Sequence, residues 1–515
     1  MDADYGLGSW PARRARIGPD VVALRQGERA LTYAELAERV ERLADGLAAR
    51  GVGPGDRVAY LGPNDIATFE VFFAAGRLGA IFAPFNTRLA PPEIGYLLDD
   101  CAPTVLVYAA ELNELVTAVD PAAHGVPTTV EVGDGYDTLL TGAPPRRRAE
   151  PVALSDDAVI LYTSGTTGRP KGAVLSHANL TFNTMNQLAH ADVLSTDTAL
   201  CIAPLFHATG LGMVSLPTLF KGGTVQVVPR FEPGAVLAAI AAHRVASFSC
   251  VPTMLALLCD HPDFGRTDLG SLRYVVYGGS SVAERVAMAW QERGVTLQQG
   301  YGMTEASPGV CMAPLAGSTQ RPVSVGVPQF YTDITFDPEL DEPERGGRGE
   351  LLVRGLNVSR GYWNRPADTE RAFDRGWYRT GDIVRVERDG WAYVVDRVRD
   401  MIISGGENVY PAEVEAEVTA LPGVLACSVV AVPDERWGEV GRAFVVADPV
   451  VADPVVADPV VADPVRWTEQ TLRAALTGRL ATFKIPKYVT FVDELPRTAT
   501  GKVRKDLLRA AVPHS

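Results

Sequence analysis

The stretch Leu161-Tyr162-Thr163-Ser164-Gly165-Thr166-Thr167-Gly168-Arg169-Pro170-Lys171-Gly172 combines the residue types that hold an anion. The apolar run Ala158-Val159-Ile160-Leu161 before it reads as a buried strand. Glycines let backbone N–H groups turn inward and approach an anion closely. The hydroxyls of Thr163, Ser164, Thr166 and Thr167 add donors, and Lys171 adds a fixed positive charge. That is the chemistry of holding a nucleotide's phosphates. The spacing is not the Walker pattern, because neither the Gly-to-Lys interval nor the residue after Lys fits GxxxxGK[ST]. Ser, Thr and Gly clusters also make surface linkers, so the rest of the chain has to decide.

The flanking sequence supplies a frame for such a loop. Thr32-Tyr33-Ala34-Glu35 is a capping box ahead of an amphipathic helix bearing Leu36, Val40, Leu43 and Leu47. Strands are expected at 58–61, 80–84 and 104–108, with helices at 68–78 and 91–99. After the loop the rhythm resumes, with strands at 224–228, 246–250 and 274–277 and helices near 233–243, 253–260 and 282–293. Alternation of this kind places βαβ units on a parallel sheet. Residues 134–151, including Arg146-Arg147-Arg148, read as a polar, solvated connector.

From Gly326 to Val395 short strands and turns indicate a small β-rich subdomain, and the chain from Met401 forms a compact segment with its own core. The expected fold class is therefore α/β: a large N-terminal lobe of two βαβ-type subdomains plus the β-rich one, and a smaller α+β C-terminal lobe. Residues 445–464 are four copies of Val-Val-Ala-Asp-Pro. Proline at every fifth position forbids a long helix, and the period is too short for a solenoid, so this reads as an expanded surface loop.

At 515 residues several domains are expected, and 47% hydrophobic with 21% charged residues is the composition of a globular protein with large cores. A net charge of −14 argues against a nucleic-acid partner. The six cysteines are scattered without a CxxC pair, so they read as reduced core residues of a cytoplasmic protein, with no disulfide framework or zinc site. No signal peptide is apparent at the N-terminus, and the apolar stretch 71–85, interrupted by Arg77, is too short to span a bilayer.

The phosphate-binding stretch closely resembles the signature loop of the adenylate-forming superfamily, which includes acyl-CoA synthetases, luciferases and peptide-synthetase adenylation domains. The resemblance runs from about Leu31 to Lys505 and rests on several separate motifs. In Pro204-Leu205-Phe206-His207 it implies that His207 borders the carboxylate substrate. In Tyr277-Gly278-Gly279-Ser280 it implies backbone against which adenine lies flat, with Gly278, Gly279 and Ser280 at the nucleotide. In Gln299-Gly300-Tyr301-Gly302-Met303-Thr304-Glu305 it implies that Gln299 and Gly300 lie at the nucleotide, that Tyr301 stacks on adenine and that Thr304 meets the α-phosphate. Glu305 would hold the Mg²⁺ of MgATP, for which a carboxylate oxygen is a suitable ligand.

By the same resemblance, Asp382 accepts from both ribose hydroxyls and Arg397 contacts ribose and phosphate. Arg399 occupies a hinge at 398–400, where relatives mostly carry Lys or Asp, between lobes at 1–397 and 401–515. Ser404, Gly405, Gly406 and Glu407 resemble the face that lines the pantetheine tunnel for coenzyme A. Lys502, after the turn at Gly501, resembles the adenylation lysine.

The implied reaction converts a poor acylating agent into a good one. The carboxylate attacks the α-phosphorus of ATP, giving an acyl-adenylate and pyrophosphate, so the protein's task is positioning and electrostatic stabilisation. Lys502 would bridge carboxylate and α-phosphate. The C-terminal lobe would then turn about Arg399 so that coenzyme A can attack the same carbonyl.

Amino-acid adenylators carry an aspartate about where His207 stands, which ranks that class low. Transfer to a carrier protein stays as the alternative. Luciferase-type oxidation is only weakly excluded, and a non-catalytic nucleotide sensor is disfavoured by Lys502 and Glu305. The acyl pocket is expected from His207, Gly210, Met213, Cys250, Tyr277, Gly302 and Met303, with Gly210, Gly212 and Gly302 giving depth or width. A hydrophobic monocarboxylate fits these residues, and the wording of 400–408 is most like bacterial fatty-acyl- and feruloyl-CoA synthetases. Fatty, cinnamate-like and polycyclic acids all stay open, as does assembly into a homodimer.

Overall fold

A computed structural model of the chain describes residues 4–141, 151–163, 169–279, 282, 284–318, 321, 324–337, 346–397, 401–447, 467–496 and 503–511. The chain divides into two compact units. The first comprises Met1–Thr87, Leu97–Tyr162 and Gly172–Val398, and the second Arg88–Tyr96, Thr163–Lys171 and Arg399–Ser515.

The first unit begins as the capping box requires. Thr32 Oγ1 accepts from Glu35 N–H at 3.2 Å and Glu35 Oε2 accepts from Thr32 N–H at 2.7 Å, starting the helix Tyr33–Ala48. Leu36, Val40, Leu43 and Leu47 are all buried along its inner stripe. The helix Ile66–Arg77 is apolar on every face and correspondingly buried all round. Its one buried acid, Glu70, pairs with Arg39 and accepts from the Tyr136 hydroxyl at 2.7 Å.

That tyrosine marks a departure from expectation. Residues 134–141 are not connector but the helix Asp134–Thr141, with Tyr136, Leu139 and Leu140 buried. The i, i+3, i+4 spacing of those three makes an apolar stripe that the surrounding Asp, Gly and Thr conceal. Arg146-Arg147-Arg148 lie outside the described residues.

Among the described residues, the strands of this unit form three sheets. A six-stranded sheet runs in the order Thr128–Val132, Val105–Ala109, Arg57–Leu61, Ile81–Phe85, Asp157–Thr163, Lys171–Ser176. Its successive pairs are parallel through Asp157–Thr163. A nine-stranded sheet is parallel from Val22–Gln26 through Thr224–Val227, Thr198–Cys201, Ser247–Cys250 and Tyr274–Tyr277 to Thr296–Gly302. Antiparallel strands close both of its edges. The β-rich part is an antiparallel sheet built on Thr332–Asp337, Gly347–Gly355, Trp377–Val386 and Ala392–Arg397.

The second unit has its own apolar core, including Ile402, Val414, Val418, Val429, Val445, Leu472 and Leu476. Its longest strands, Val424–Asp434 and Gly438–Ala447, pair antiparallel, and Tyr488–Phe491 joins parallel to the second. Lys484 is buried in this unit, its Nζ 2.6 Å from Glu93 Oε1 and 2.7 Å from Glu413 Oε1. Burial pulls the Lys484 ammonium down, but Glu413 and Glu93 outweigh it and hold its pKa above the ordinary lysine value. Residues 448–464 of the repeat lie outside the described residues, as does the hinge at 398–400. Among the described residues no helix is long and apolar enough to cross a membrane.

Candidate active site

The strand Thr296–Gly302 delivers Tyr301 and then breaks into the short turn Thr304–Ala306. Tyr301 donates its hydroxyl to Asp382 Oδ2 at 2.7 Å, so the residue expected at adenine and the one expected at ribose are joined directly. Burial and the Asp382 charge push the Tyr301 phenol far above its ordinary pKa, leaving it a neutral donor. Asp382 sits in the strand Trp377–Val386, where Thr380 Oγ1 accepts from its backbone N–H at 3.1 Å.

Glu305 is buried, and its Oε1 accepts from the Tyr362 hydroxyl at 2.6 Å. Among the described residues no cluster of three or more His, Cys, Asp or Glu could hold a metal ion. A single oriented carboxylate nonetheless fits Mg²⁺, which keeps several waters and is commonly bound through one or two carboxylates plus substrate phosphates.

Two buried asparagines brace this turn. Asn357 Nδ2 donates to Ala306 O at 2.9 Å and Gly309 O at 2.6 Å. Asn183 accepts from Gly309 N–H at 3.2 Å and donates to Gly212 O at 2.8 Å. Ser359 N–H donates to Glu305 O at 2.7 Å. Neither asparagine nor Tyr362 was anticipated. A usable signal was present in the helix His177–His190, whose Asn179, Asn183, Asn186 and Gln187 are polar yet buried.

His207 follows a segment fixed by Asn64, which accepts from Leu205 N–H at 2.8 Å and donates to Ala203 O at 3.0 Å. Its ring packs edge-on against Phe206, centroids 4.8 Å apart. The π-helical segment Gly210–Ser215 comes next, an irregularity frequent at functional sites.

The larger apolar side chains expected at the acyl pocket pack into different cores. Cys250 and Tyr277 belong to a core with Phe248, Leu255 and Trp290, whereas Met213 packs with Tyr274, Val276 and Met312. Met303 packs with Ala306 and Val310 in a third. The Tyr277 hydroxyl donates to Gln299 Oε1 at 3.0 Å.

The glycines need a different account from pocket width. A Cβ on Gly210 would lie 2.3 Å from Pro204 O, on Gly212 2.4 Å from Ser307 O, and on Gly302 1.7 Å from Pro308 O. These three are glycine because backbone crosses backbone there. Gly300 is the open one, where a Cβ would meet nothing nearer than Met213 Cε at 3.5 Å. Of the pair at the expected adenine surface, Gly278 faces Gly300 O at 2.9 Å from a built Cβ. Gly279, at φ +92°, has nothing within 4 Å.

In the second unit, Thr163 Oγ1 donates to Lys171 O at 3.4 Å across the base of the phosphate loop. Ser404 and Glu407 face each other in a hairpin whose two turn residues, Gly405 at φ +58° and Gly406 at φ +86°, need left-handed backbone. Glu407 Oε1 lies 2.7 Å from Arg88 Nη1. Ser164, Gly165, Thr166, Thr167, Ser280, Arg399 and Lys502 lie outside the described residues, as does the side chain of Arg397.

The AMP-binding enzyme family model matches residues 11–363, and that of the AMP-binding enzyme C-terminal domain matches residues 413–502. A feruloyl-CoA synthase of an Amycolatopsis species is 48% identical over 98% of this chain and 99% of its own. A long-chain-fatty-acid–CoA ligase of Mycobacterium tuberculosis is 35% identical over 93% of this chain and 92% of its own. Among solved structures, o-succinylbenzoate CoA synthetase of Bacillus subtilis superposes with a TM-score of 0.84 at 31% identity, covering 98% of each chain. The chain thus belongs to the AMP-binding enzyme family, on the acyl-CoA synthetase branch of the adenylate-forming superfamily.

Proposed function

We propose that this AMP-forming acyl-CoA synthetase activates an aryl-propenoic acid of the hydroxycinnamate type and passes it to coenzyme A. The observation that carries the substrate class is the near full-length 48% identity to an enzyme named feruloyl-CoA synthase. The buried surroundings of Met213, Tyr274 and Val276 suit an apolar acid, and the half-buried His207 is assigned to its carboxylate.

In this reading Asp382, held by Tyr301, takes the ribose hydroxyls, and Glu305 takes the magnesium ion. That ion would supply charge neutralisation on the departing pyrophosphate. Thr163 and Lys171 bracket the phosphate loop, and Thr304 offers its hydroxyl to the α-phosphate. Carboxylate oxygen bonds to the α-phosphorus as the bond to the bridging oxygen breaks, and the electron pair leaves with pyrophosphate. Coenzyme A thiolate then attacks the acyl carbon and expels AMP, with the hairpin at Ser404–Glu407 serving the thiol. Lys502 is assigned to the first step, so Lys502→Ala should lose adenylation yet still use a supplied acyl-adenylate. The enzyme works in the cytoplasm.

The test is pyrophosphate release from ATP over a panel of acids, each with and without coenzyme A. Turnover with ferulate or p-coumarate that depends on coenzyme A is the expected result. Preference for a fatty acid would overturn the substrate class, and release indifferent to coenzyme A would favour transfer to a carrier protein.

A further inference from the structure

The segment 357–363 grips the turn that carries Glu305 from several sides. Asn357 takes Ala306 O and Ser359 N–H takes Glu305 O, so the backbone of the turn is fixed. Tyr362 then reaches the side chain itself, its hydroxyl 2.6 Å from Glu305 Oε1 and 3.3 Å from the Tyr378 hydroxyl. Tyr378 lies in the same strand as Asp382, Trp377–Val386. The main chain of Tyr362 is pinned as firmly. It bridges Ala173, its neighbour Trp363 donates N–H to Gly172 O at 2.7 Å, and its own N–H donates to Thr369 Oγ1 at 3.0 Å. Ala173 is the second residue after Lys171 in the sequence, so one residue ties the strand leaving the phosphate loop to the Glu305 carboxylate.

We propose that Tyr362 is a positioning residue for the cation: it fixes the Glu305 carboxylate through Oε1, leaving the other oxygen to meet a divalent ion, with Tyr378 steadying the Tyr362 hydroxyl. The inference rests on the assignment of Glu305 as the metal ligand. A neutral phenol suits this task, because it orients the carboxylate without cancelling the charge that the ion needs. Partners of this kind, one bond beyond a metal ligand, typically change metal affinity about 10–100-fold when removed.

The experiment compares the full-length protein with Tyr362→Phe, Tyr378→Phe, Glu305→Gln and the double variant Tyr362→Phe/Glu305→Gln. Mn²⁺ affinity is read by electron paramagnetic resonance with α,β-methylene-ATP present, AMP affinity by calorimetry without metal, and integrity by thermal midpoint. Tyr362→Phe should weaken Mn²⁺ about tenfold, with AMP affinity and midpoint unchanged, and Tyr378→Phe should weaken it less. Glu305→Gln should weaken it at least as much as Tyr362→Phe, and the double variant should match Glu305→Gln alone. If Glu305→Gln weakens Mn²⁺ but Tyr362→Phe does not, the positioning role is wrong while the ligand assignment stands. If Glu305→Gln has no effect on Mn²⁺, the ligand assignment falls and takes this proposal with it. Equal loss of Mn²⁺ and AMP in Tyr362→Phe would reduce Tyr362 to a structural residue and overturn the proposal.

Discussion

In the first unit, Glu305 and Asp382 each accept a hydrogen bond from a neutral phenol, whereas in the second Glu93 and Glu413 close on a buried ammonium, Lys484. The two arrangements spend charge differently. A phenol orients a carboxylate and leaves its negative charge available to a ligand. An ammonium shared between two carboxylates offsets one of their two charges and pins both side chains, which suits the cluster to holding structure. The difference separates carboxylates that keep their full charge from a cluster whose charge is partly offset from within.

The largest expected effect tests the Lys484 cluster. Lys484→Met removes the one ammonium and leaves two buried carboxylates facing each other, which should destabilise the second unit by about 3–5 kcal/mol. Amide hydrogen exchange along Val424–Asp434 and Gly438–Ala447 would report it as lost protection, and unchanged protection would show that the triad carries little. The pH dependence has a definite sign. Because Lys484 has a pKa held above 10.5, its contribution is complete below that value and is lost as pH rises through the folded pKa. The Lys484→Met variant should lack this alkaline loss.

Next comes the neutral bracing of the first unit. Asn357→Ala leaves Ala306 O and Gly309 O without their amide donor in a fully buried position, at a cost of about 2–3 kcal/mol. Because Asn357 holds the Glu305 turn, adenylation should fall as well, and pyrophosphate release measured well below the thermal midpoint would separate the two effects. A variant that lost stability but kept full turnover would show that the turn does not depend on this brace. Tyr301→Phe should cost less, about 1 kcal/mol, seen as a roughly fivefold rise in KM for ATP with the KM for the acid unchanged. An equal rise for both would mean that the Tyr301–Asp382 bond is not confined to nucleotide binding.

The frame of the molecule was legible because its strands are apolar runs of the right length and its helices carry stripes or caps. The strands Tyr274–Tyr277 and Arg57–Leu61 fall within a residue of expectation for that reason. Local motifs also pointed to Tyr301, Glu305 and Asp382, whose neighbours in sequence are part of the pattern. Their supports were not legible. Tyr362 meets Glu305 across 57 residues of chain, and Asn183 meets Gly309 across 126. Periodicity says nothing about which distant polar groups will meet in the interior. The glycines misled for a related reason: a missing side chain looks the same in sequence whether a ligand or another stretch of backbone occupies the space.

That ambiguity sets up the most discriminating prediction, between two glycines in one strand. Gly302→Ala would drive its methyl into Pro308 O, a backbone atom that cannot step aside, so the Thr304–Ala306 turn should shift and activity fall with every acid. Gly300→Ala meets the flexible end of Met213 at 3.5 Å and the carbonyl oxygens of Cys311 and Tyr277 at 3.7 and 3.9 Å, all ordinary contacts, so the fold should be unaffected. Its effect on the use of acids should appear as a change in selectivity. A methyl group added beside Met213 narrows the space by about one methylene, worth roughly 1 kcal/mol or fivefold in kcat/KM against a bulky aryl acid. Competition between ferulate and a short-chain acid, measured by mass spectrometry of the thioesters, would show the ratio moving toward the shorter acid. If the ratio stayed fixed while both rates held, the acyl group would bind away from Met213, and the pocket would have to be sought on the Cys250–Tyr277 side of the sheet.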